Sequence, residues 1–375
     1  MRPSSIKERG EMKPVVSVLG AGNGGQALAG HLALKGYSVK LFEHPDFGEK
    51  VSVIESRGGI ELKGNLKGFG KLEKTTTNAG EALAGADVVY VTAPSFAQKP
   101  IMDKAGPYID EGMKVVFIPG NFGSLEAASW LNAGKKEGIL LGETNTLPYA
   151  CRQIEPGIVD IWGVKTKVLM AALPSKRNEE LIQTVKDMFP TDIVKMSNVL
   201  ETSFSNLNMV LHCPTMILNT GRIESREAGF RFYTDGMTPS VCKISEIADE
   251  ERISIGRALG LNLQPQTQWL KETYGLEGGN LFEVLQGSDV YGGHGVDAPK
   301  TMTHRYLTED VPYLLVPVAS FGRALGIPCP VIESIILLAG KINGKDYFSE
   351  GRTLERMGFP SAGIESIREK LVEGA

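Results

Sequence analysis

Val15-Val16-Ser17-Val18-Leu19-Gly20-Ala21-Gly22-Asn23-Gly24-Gly25 is the stretch on which the fold turns. Five residues, all but Ser17 apolar, run into a glycine-rich turn. The turn runs into Gln26-Ala27-Leu28-Ala29-Gly30-His31-Leu32-Ala33-Leu34-Lys35, a helical pattern. The glycines fall as G-x-G-x-x-G at Gly20, Gly22 and Gly25. Gly20 permits a sharp turn, Gly22 lets backbone approach a pyrophosphate, and Gly25 lets helix and strand pack closely. Asn23 and Gly24 complete the loop at the helix N-terminus, whose free N–H groups favour phosphate. A second strand, Tyr37–Phe42, ends in Glu43, 23 residues after Gly20, where an acid is expected against a ribose diol.

Outward from this unit the pattern stays α/β. Val51–Arg57 reads as a short helix, Gly58–Leu72 as short strands, and Asn78–Ala84 as a helix capped by Asn78. Asp87–Pro94 is an apolar buried strand whose end carries Pro94, placed by this pattern against a dinucleotide. Met113–Ile118 and Gly138–Glu143 are further strands. Five strands with helical crossovers predict a doubly wound parallel sheet, that is, a Rossmann domain. Thr144–Arg152 reads as a polar loop at the carboxyl edge of that sheet and carries Arg152. Asp160–Leu173 predicts two strands and Asn178–Met188 a helix.

After Ser197 the strand signals fade. Helices are predicted over Val199–Thr220, Val241–Gly260, Gln264–Tyr274, Asn280–Gln286, Leu307–Leu325, Val331–Ile342 and Gly363–Glu373. The expected organisation is a disordered tail over 1–12, a Rossmann domain over 13–197 and an all-α domain over 198–375.

Composition narrows the function. The 375 residues carry a net charge of -4, so neither nucleic acid nor an anionic membrane surface is an expected partner. No apolar run is long enough to span a bilayer. Four scattered cysteines, with no C-x-x-C pair, predict reduced thiols in a cytoplasmic protein and no metal site.

Two segments could carry chemistry. In Asn208-Met209-Val210-Leu211-His212-Cys213-Pro214 the polar Asn208 and His212 are four apart, on one helical face, and Pro214 frees nearby backbone groups. The second segment runs from Tyr291-Gly292-Gly293-His294-Gly295 to His304-Arg305-Tyr306-Leu307-Thr308-Glu309-Asp310-Val311-Pro312. Thr308 reads as an N-cap, and Glu309 and Asp310 then complement the helix dipole. Alternatively one acid orients His212, since an imidazole working as base and acid needs its far nitrogen held. Arg305 is either a fork for a substrate carboxylate or a surface ion pair with Glu309. His304 reads as ordinary.

Together these motifs, with Leu147-Pro148-Tyr149-Ala150-Cys151-Arg152, make the chain resemble the opine dehydrogenase family of octopine and nopaline type, from about Val15 to about Ala339. That resemblance implies a Rossmann domain binding NAD(P)H and a helical domain binding an amino acid, whose amine is joined to a 2-keto acid such as pyruvate and the imine reduced. It places the catalytic histidine on His212, its aspartate on Asp310 and the substrate-carboxylate arginine on Arg305; Asn208 and Arg152 are further candidate substrate contacts, each equally readable as structural. Glu43 is followed by His44-Pro45 and no arginine, which favours NAD over NADP; Lys50 is the nearest basic residue. Arg222, Arg226 and Arg231 in the Gly221–Thr238 tract read as a solvated face more than as a pocket for acidic substrates. A homodimer is expected, with Val311–Phe321 or Val331–Ala339 as core or dimer face.

Two other functions share this pattern. One is a 2- or 3-hydroxy acid dehydrogenase of the same architecture, although related folds often carry a lysine where Glu201–Asn219 has His212 and no lysine. The other is a non-catalytic NAD(H)-sensing protein.

Overall fold

The computed structural model describes residues 13–133, 138–225, 229–288, 291, 297–359 and 363–373. The expected tail over 1–12, Arg226 and His294 lie outside them. The chain forms two compact units, one of Met1–Thr202 together with Lys370–Ala375, the other of Ser203–Glu369.

Among the described residues the first unit holds twelve strands: β1 (Val15–Leu19), β2 (Ser38–Phe42), β3 (Gly59–Gly64), β4 (Gly68–Lys71), β5 (Lys74–Thr76), β6 (Val88–Val91), β7 (Lys114–Phe117), β8 (Leu140–Thr144), β9 (Tyr149–Glu155), β10 (Ile158–Val164), β11 (Lys167–Leu173) and β12 (Asp192–Lys195). Eight of them form one sheet in the order β12-β11-β8-β7-β6-β1-β2-β5. The run from β5 to β8 is parallel throughout. The sheet departs from the expected all-parallel form at β11, which runs antiparallel to β8 and then parallel to β12. Central strands are apolar because both faces are covered: Val16, Val18, Val88, Val89, Val115 and Val116 are fully buried.

A second sheet, in the order β4-β3-β10-β9, corrects the expectation of a loop at Thr144–Arg152. Its β9 strand begins at Tyr149, so Arg152 sits on a strand, exposed and in register with Asp160 of β10. The helix α1 (Asn23–Leu34) is buried continuously from Gly25 to Leu32. Its small apolar side chains suit a helix covered on all sides rather than on one stripe.

The second unit is helical, as expected. Its central helix, Asn208–Leu218, is buried from Met209 to Met216. The expected single helix over Val199–Thr220 is instead broken, into Val199–Phe204 and Asn208–Leu218. Asn206 makes the break, its side-chain oxygen accepting the Asn208 N–H at 3.1 Å. Pro214 has no N–H for the Val210 carbonyl one turn earlier; the Ser245 hydroxyl donates to that carbonyl at 2.5 Å instead.

The expected helix over Leu307–Leu325 is also not continuous. It consists of Arg305–Thr308, a π turn over Val311–Leu315, and a helix over Val316–Leu325. Pro312 and Pro317 remove two N–H groups from this run, which breaks a regular α ladder. Thr308 is therefore not an N-cap. His304 caps the Arg305–Thr308 helix, its Nδ1 accepting the Tyr306 N–H at 3.3 Å.

One buried group ties stability to pH. His31 on α1 is 8% exposed, and its Nδ1 meets the Tyr149 hydroxyl at 2.9 Å. Burial, with Lys35 nearby, pushes its pKa down from 6.5 to about 4. The unfolded chain therefore binds this proton first, so the contribution is full above pH 6.5 and is lost as pH falls toward 4. His31→Asn should flatten the fall of Tm across that window in thermal unfolding; an unchanged slope would remove His31 from the account.

Candidate active site

Strands β6, β1 and β2 are neighbours, and their carboxyl ends carry three of the expected cofactor elements side by side. After β1 comes the Gly20–Gly25 turn. After β2 comes Glu43. After β6 comes Pro94, exposed, heading the Ser95–Ala105 helix. β1 leads on to β2 on one side while β6 leads on to β7 on the other, the switch in strand order at which a crevice opens at the strand ends.

The turn is built by contact. Gly20 has φ +104, and a Cβ there would meet the Thr92 carbonyl oxygen at 2.8 Å. A Cβ on Gly25 would lie 1.7 Å from the Gly20 oxygen. A Cβ on Gly24 would meet Leu147 Cδ1 at 2.8 Å. At Gly22 a Cβ would meet nothing within 4 Å. The glycine that heads α1 is thus the one facing open space, and no side chain caps the helix there. Orphan N–H groups over open space fit a dinucleotide pyrophosphate.

Glu43 is buried and braces this turn. Its Oε2 accepts the Ala21 N–H at 2.9 Å and its Oε1 the His44 N–H at 2.9 Å; Lys50 Nζ lies 3.9 Å from Oε2. Asn23 is exposed, and its Oδ1 accepts the Gln153 N–H of β9 at 2.9 Å. Its side chain therefore fastens the loop to the second sheet.

The second unit brings His212 and Asp310 together. His212 Nδ1 lies 2.7 Å from Asp310 Oδ2, with both side chains under 10% exposed. A carboxylate only accepts, so Nδ1 carries the proton and Nε2 presents its lone pair. The phenol of Tyr233 occupies that lone pair, at 2.7 Å from Nε2. The Tyr306 ring stacks on the imidazole at 3.8 Å and 20°, and Phe232 meets its edge at 6.0 Å. Burial, then the phenols of Tyr306 and Tyr291, hold the Tyr233 hydroxyl well above the usual tyrosine range, so it keeps its proton. Burial and Asp310 likewise raise the Cys213 thiol. His304 is held below the usual histidine range by burial, then by Arg305 and His212, with Asp310 acting the other way.

The other expected substrate contacts are placed differently. Arg305 is 59% exposed, and its Nη2 pairs with the buried Glu309 carboxylate at 2.8 Å. Asn208 is the first residue of its helix and is exposed, unlike His212 one turn later. Arg152 belongs to the first unit. In the Gly221–Thr238 tract, Arg222 stacks on Phe230 at 4.1 Å and donates to the Asp235 carbonyl at 3.2 Å. Tyr233 and Tyr306 are the residues that sequence reasoning missed. The one available signal was an aromatic pair, Phe232-Tyr233, inside a tract of charged residues and glycines.

Comparison with known proteins bears on the family and the fold. Residues 195–343 match the family described as NAD/NADP octopine/nopaline dehydrogenase, alpha-helical domain. Residues 15–120 match the NAD-dependent glycerol-3-phosphate dehydrogenase N-terminus. An opine dehydrogenase from Arthrobacter sp. (strain 1C) is 35% identical over 358 residues, covering 94% of this chain and 98% of its own. Among solved structures, octopine dehydrogenase in complex with NADH and agmatine has a TM-score of 0.82 at 21% identity, covering 96% of this chain and 98% of its own. Yersinopine dehydrogenase with NADP+ bound has a TM-score of 0.75 at 13% identity, with 97% and 99% covered.

The contact geometry separates two glycines by readout. Gly22→Ala should leave Tm within about 2 °C while weakening NADH binding roughly tenfold or more, because the added methyl enters only the ligand's space. Gly25→Ala should lower Tm by about 5 °C or more, because its methyl collides with backbone. Fluorescence titration with NADH and thermal melts check both; equal behaviour of the two variants would contradict the assignment.

Proposed function

The chain belongs to the opine dehydrogenase family, NAD(P)-dependent oxidoreductases acting on CH–NH groups, and from that premise we propose that His212 is its acid–base group, with Asp310 as the residue that orients it. The reaction is the reductive condensation of an amino-acid amine with a 2-keto acid. The bond between His212 Nδ1 and Asp310 at 2.7 Å carries this reading. It fixes the tautomer that leaves Nε2 basic, and it stabilises the imidazolium once a proton is taken.

The proton traffic follows from this pair. His212 accepts a proton from the substrate ammonium, which frees the amine to attack the keto carbon. It then returns a proton to the carbinolamine hydroxyl, which leaves as water. Asp310 stays ionised and holds the ring in both states. Arg305 is the fork for a substrate carboxylate: a guanidinium has five N–H donors, and pairing with Glu309 does not exhaust them. Asn208 and Arg152, both exposed, are proposed as secondary substrate contacts. Gly20, Gly22, Gly24, Gly25, Glu43 and Pro94 would hold the dinucleotide, and when bound it supplies the hydride that reduces the imine. Asn23 serves by anchoring that loop.

NADH is the proposed cofactor in preference to NADPH. The Glu43 carboxylate ends β2, where a 2′-phosphate would meet like charge, and Lys50 Nζ, 3.9 Å from that carboxylate, is already paired with it. Pyruvate is the proposed keto acid. A homodimer in the cytoplasm is also proposed, acting in amino-acid metabolism. Leu337, Leu338 and Ile342 stand exposed on the Pro330–Asn343 helix and suit a self-association face, whereas Val311–Phe321 is core. Four free cysteines suit a reducing compartment.

NADH oxidation should require both pyruvate and an amino acid from a panel; turnover with pyruvate alone would favour a hydroxy acid dehydrogenase. His212→Ala should lower kcat by about 100-fold or more with NADH binding retained. Arg305→Lys keeps charge but loses the fork, and should raise the KM of the carboxylate substrate about tenfold with a smaller effect on kcat. Full activity of the first variant, or an unchanged KM in the second, would reject the corresponding role.

A further inference from the structure

The nitrogen of His212 that must meet the substrate is already occupied. Nδ1 is bonded to Asp310, the Tyr233 hydroxyl sits 2.7 Å from Nε2, and Tyr306 stacks on the ring. His212 is 6% exposed and Tyr233 8%. A substrate can reach Nε2 only by displacing the phenol or by acting through it. The Tyr233 ring is held edge-on by Phe232 at 5.1 Å and by Tyr291 at 4.7 Å, so moving it breaks two aromatic contacts as well as the hydrogen bond.

We propose that the proton passing between His212 and the substrate travels through the Tyr233 hydroxyl. This rests on the acid–base reading of His212. A phenol suits the task because it is donor and acceptor at once, and its single hydrogen can point either way. It donates to Nε2 of the neutral imidazole and accepts from Nε2–H of the imidazolium, so the bond survives both halves of the cycle. In the dehydration step the Tyr233 O–H bond breaks as its proton goes to the carbinolamine hydroxyl, which leaves as water with its bonding electrons. At the same time Nε2–H gives its proton to the Tyr233 oxygen. Tyr233 ends unchanged, His212 ends neutral, and the substrate is left as the iminium cation. In the preceding amine deprotonation the same two transfers run in reverse. Tyr233 is therefore assigned contact with the reacting atoms, and Tyr291 and Phe232 position it.

The test uses the full chain with NADH, pyruvate and the amino acid of highest turnover, and reads the single-turnover rate of NADH oxidation. Tyr233→Phe should slow that rate at least about tenfold, with the KM of the amino acid, NADH binding and Tm each close to wild type. The double variant H212A/Y233F should be no more than about twofold slower than H212A, since both residues serve one path. For the wild type in mixtures of light and heavy water, the rate should curve with deuterium content, as two protons move together. A Y233F rate at or above wild type would show that the phenol is displaced on binding, and would overturn the proposal. So would multiplicative losses in the double variant, or a linear isotope dependence in the wild type. Should Y233F fold poorly, the isotope dependence of the wild type decides alone. An active H212A would instead strike the acid–base reading itself, a result separable from all of these.

Discussion

The hydrogen bond between His212 and Asp310 is the constraint on which the helical unit depends. A carboxylate 5% exposed carries a large desolvation cost, and only a close donor offsets it. That donor must come from a residue 98 positions away in sequence. Two irregular elements meet the requirement. The Asn208–Leu218 helix lies in the core, so its proline needs an outside donor, Ser245, for the Val210 carbonyl. The Arg305–Leu325 run breaks into a helix, a π turn and a second helix, and Asp310 stands at the head of the π turn. A π turn changes the direction of side chains relative to a regular helix, and such turns are frequent at functional sites.

The cofactor edge obeys a different rule. Its precision lies in backbone, through the approach of Gly25 to the Gly20 carbonyl and the left-handed φ of Gly20. Backbone constraints leave a compact mark in sequence, because only glycine meets them. That is why the β1 turn, α1 and the acid at Glu43 were legible from residues 15–43. The same holds for the buried strands, whose apolar runs reflect coverage on both faces. The position of Glu43 was legible too, but its bond to the Ala21 N–H was not. That bond makes the acid a brace of the loop before any ligand arrives.

What was not legible depends on partners distant in sequence. Nothing local distinguishes β9 from a polar loop; Arg152 is in a strand because β10 returns to pair with it. Similarly β11 runs antiparallel because of where β8 already lies. The break at Ser205–Leu207 could have been suspected from Asn206, since Asn competes for backbone N–H groups. Asn208 keeps its place four residues before His212 in one helix, but stands exposed at the helix's first position where His212 is buried. Arg305 reads two ways in sequence, and its ion pair with Glu309 is compatible with both, since the guanidinium has donors beyond that contact.

Tyr233 illustrates the limit most sharply. In sequence it is one of three aromatic residues, with Phe230 and Phe232, in a tract of charged residues and glycines; in the fold it closes the hydrogen-bond chain that Asp310 begins. A buried imidazole with one nitrogen bonded needs something at the other, either water or a protein group. Water at Nε2 would be displaced by any entering amine. A phenol packed between Phe232 and Tyr291 would not, and it keeps its proton because burial and neighbouring phenols raise its pKa. The aromatic cluster around His212 therefore sets the ring's protonation chemistry as well as its packing. On the acid–base reading of His212, it leaves one protonated hydroxyl 2.7 Å from Nε2 of a buried ring, which suits a group that alternates between base and acid.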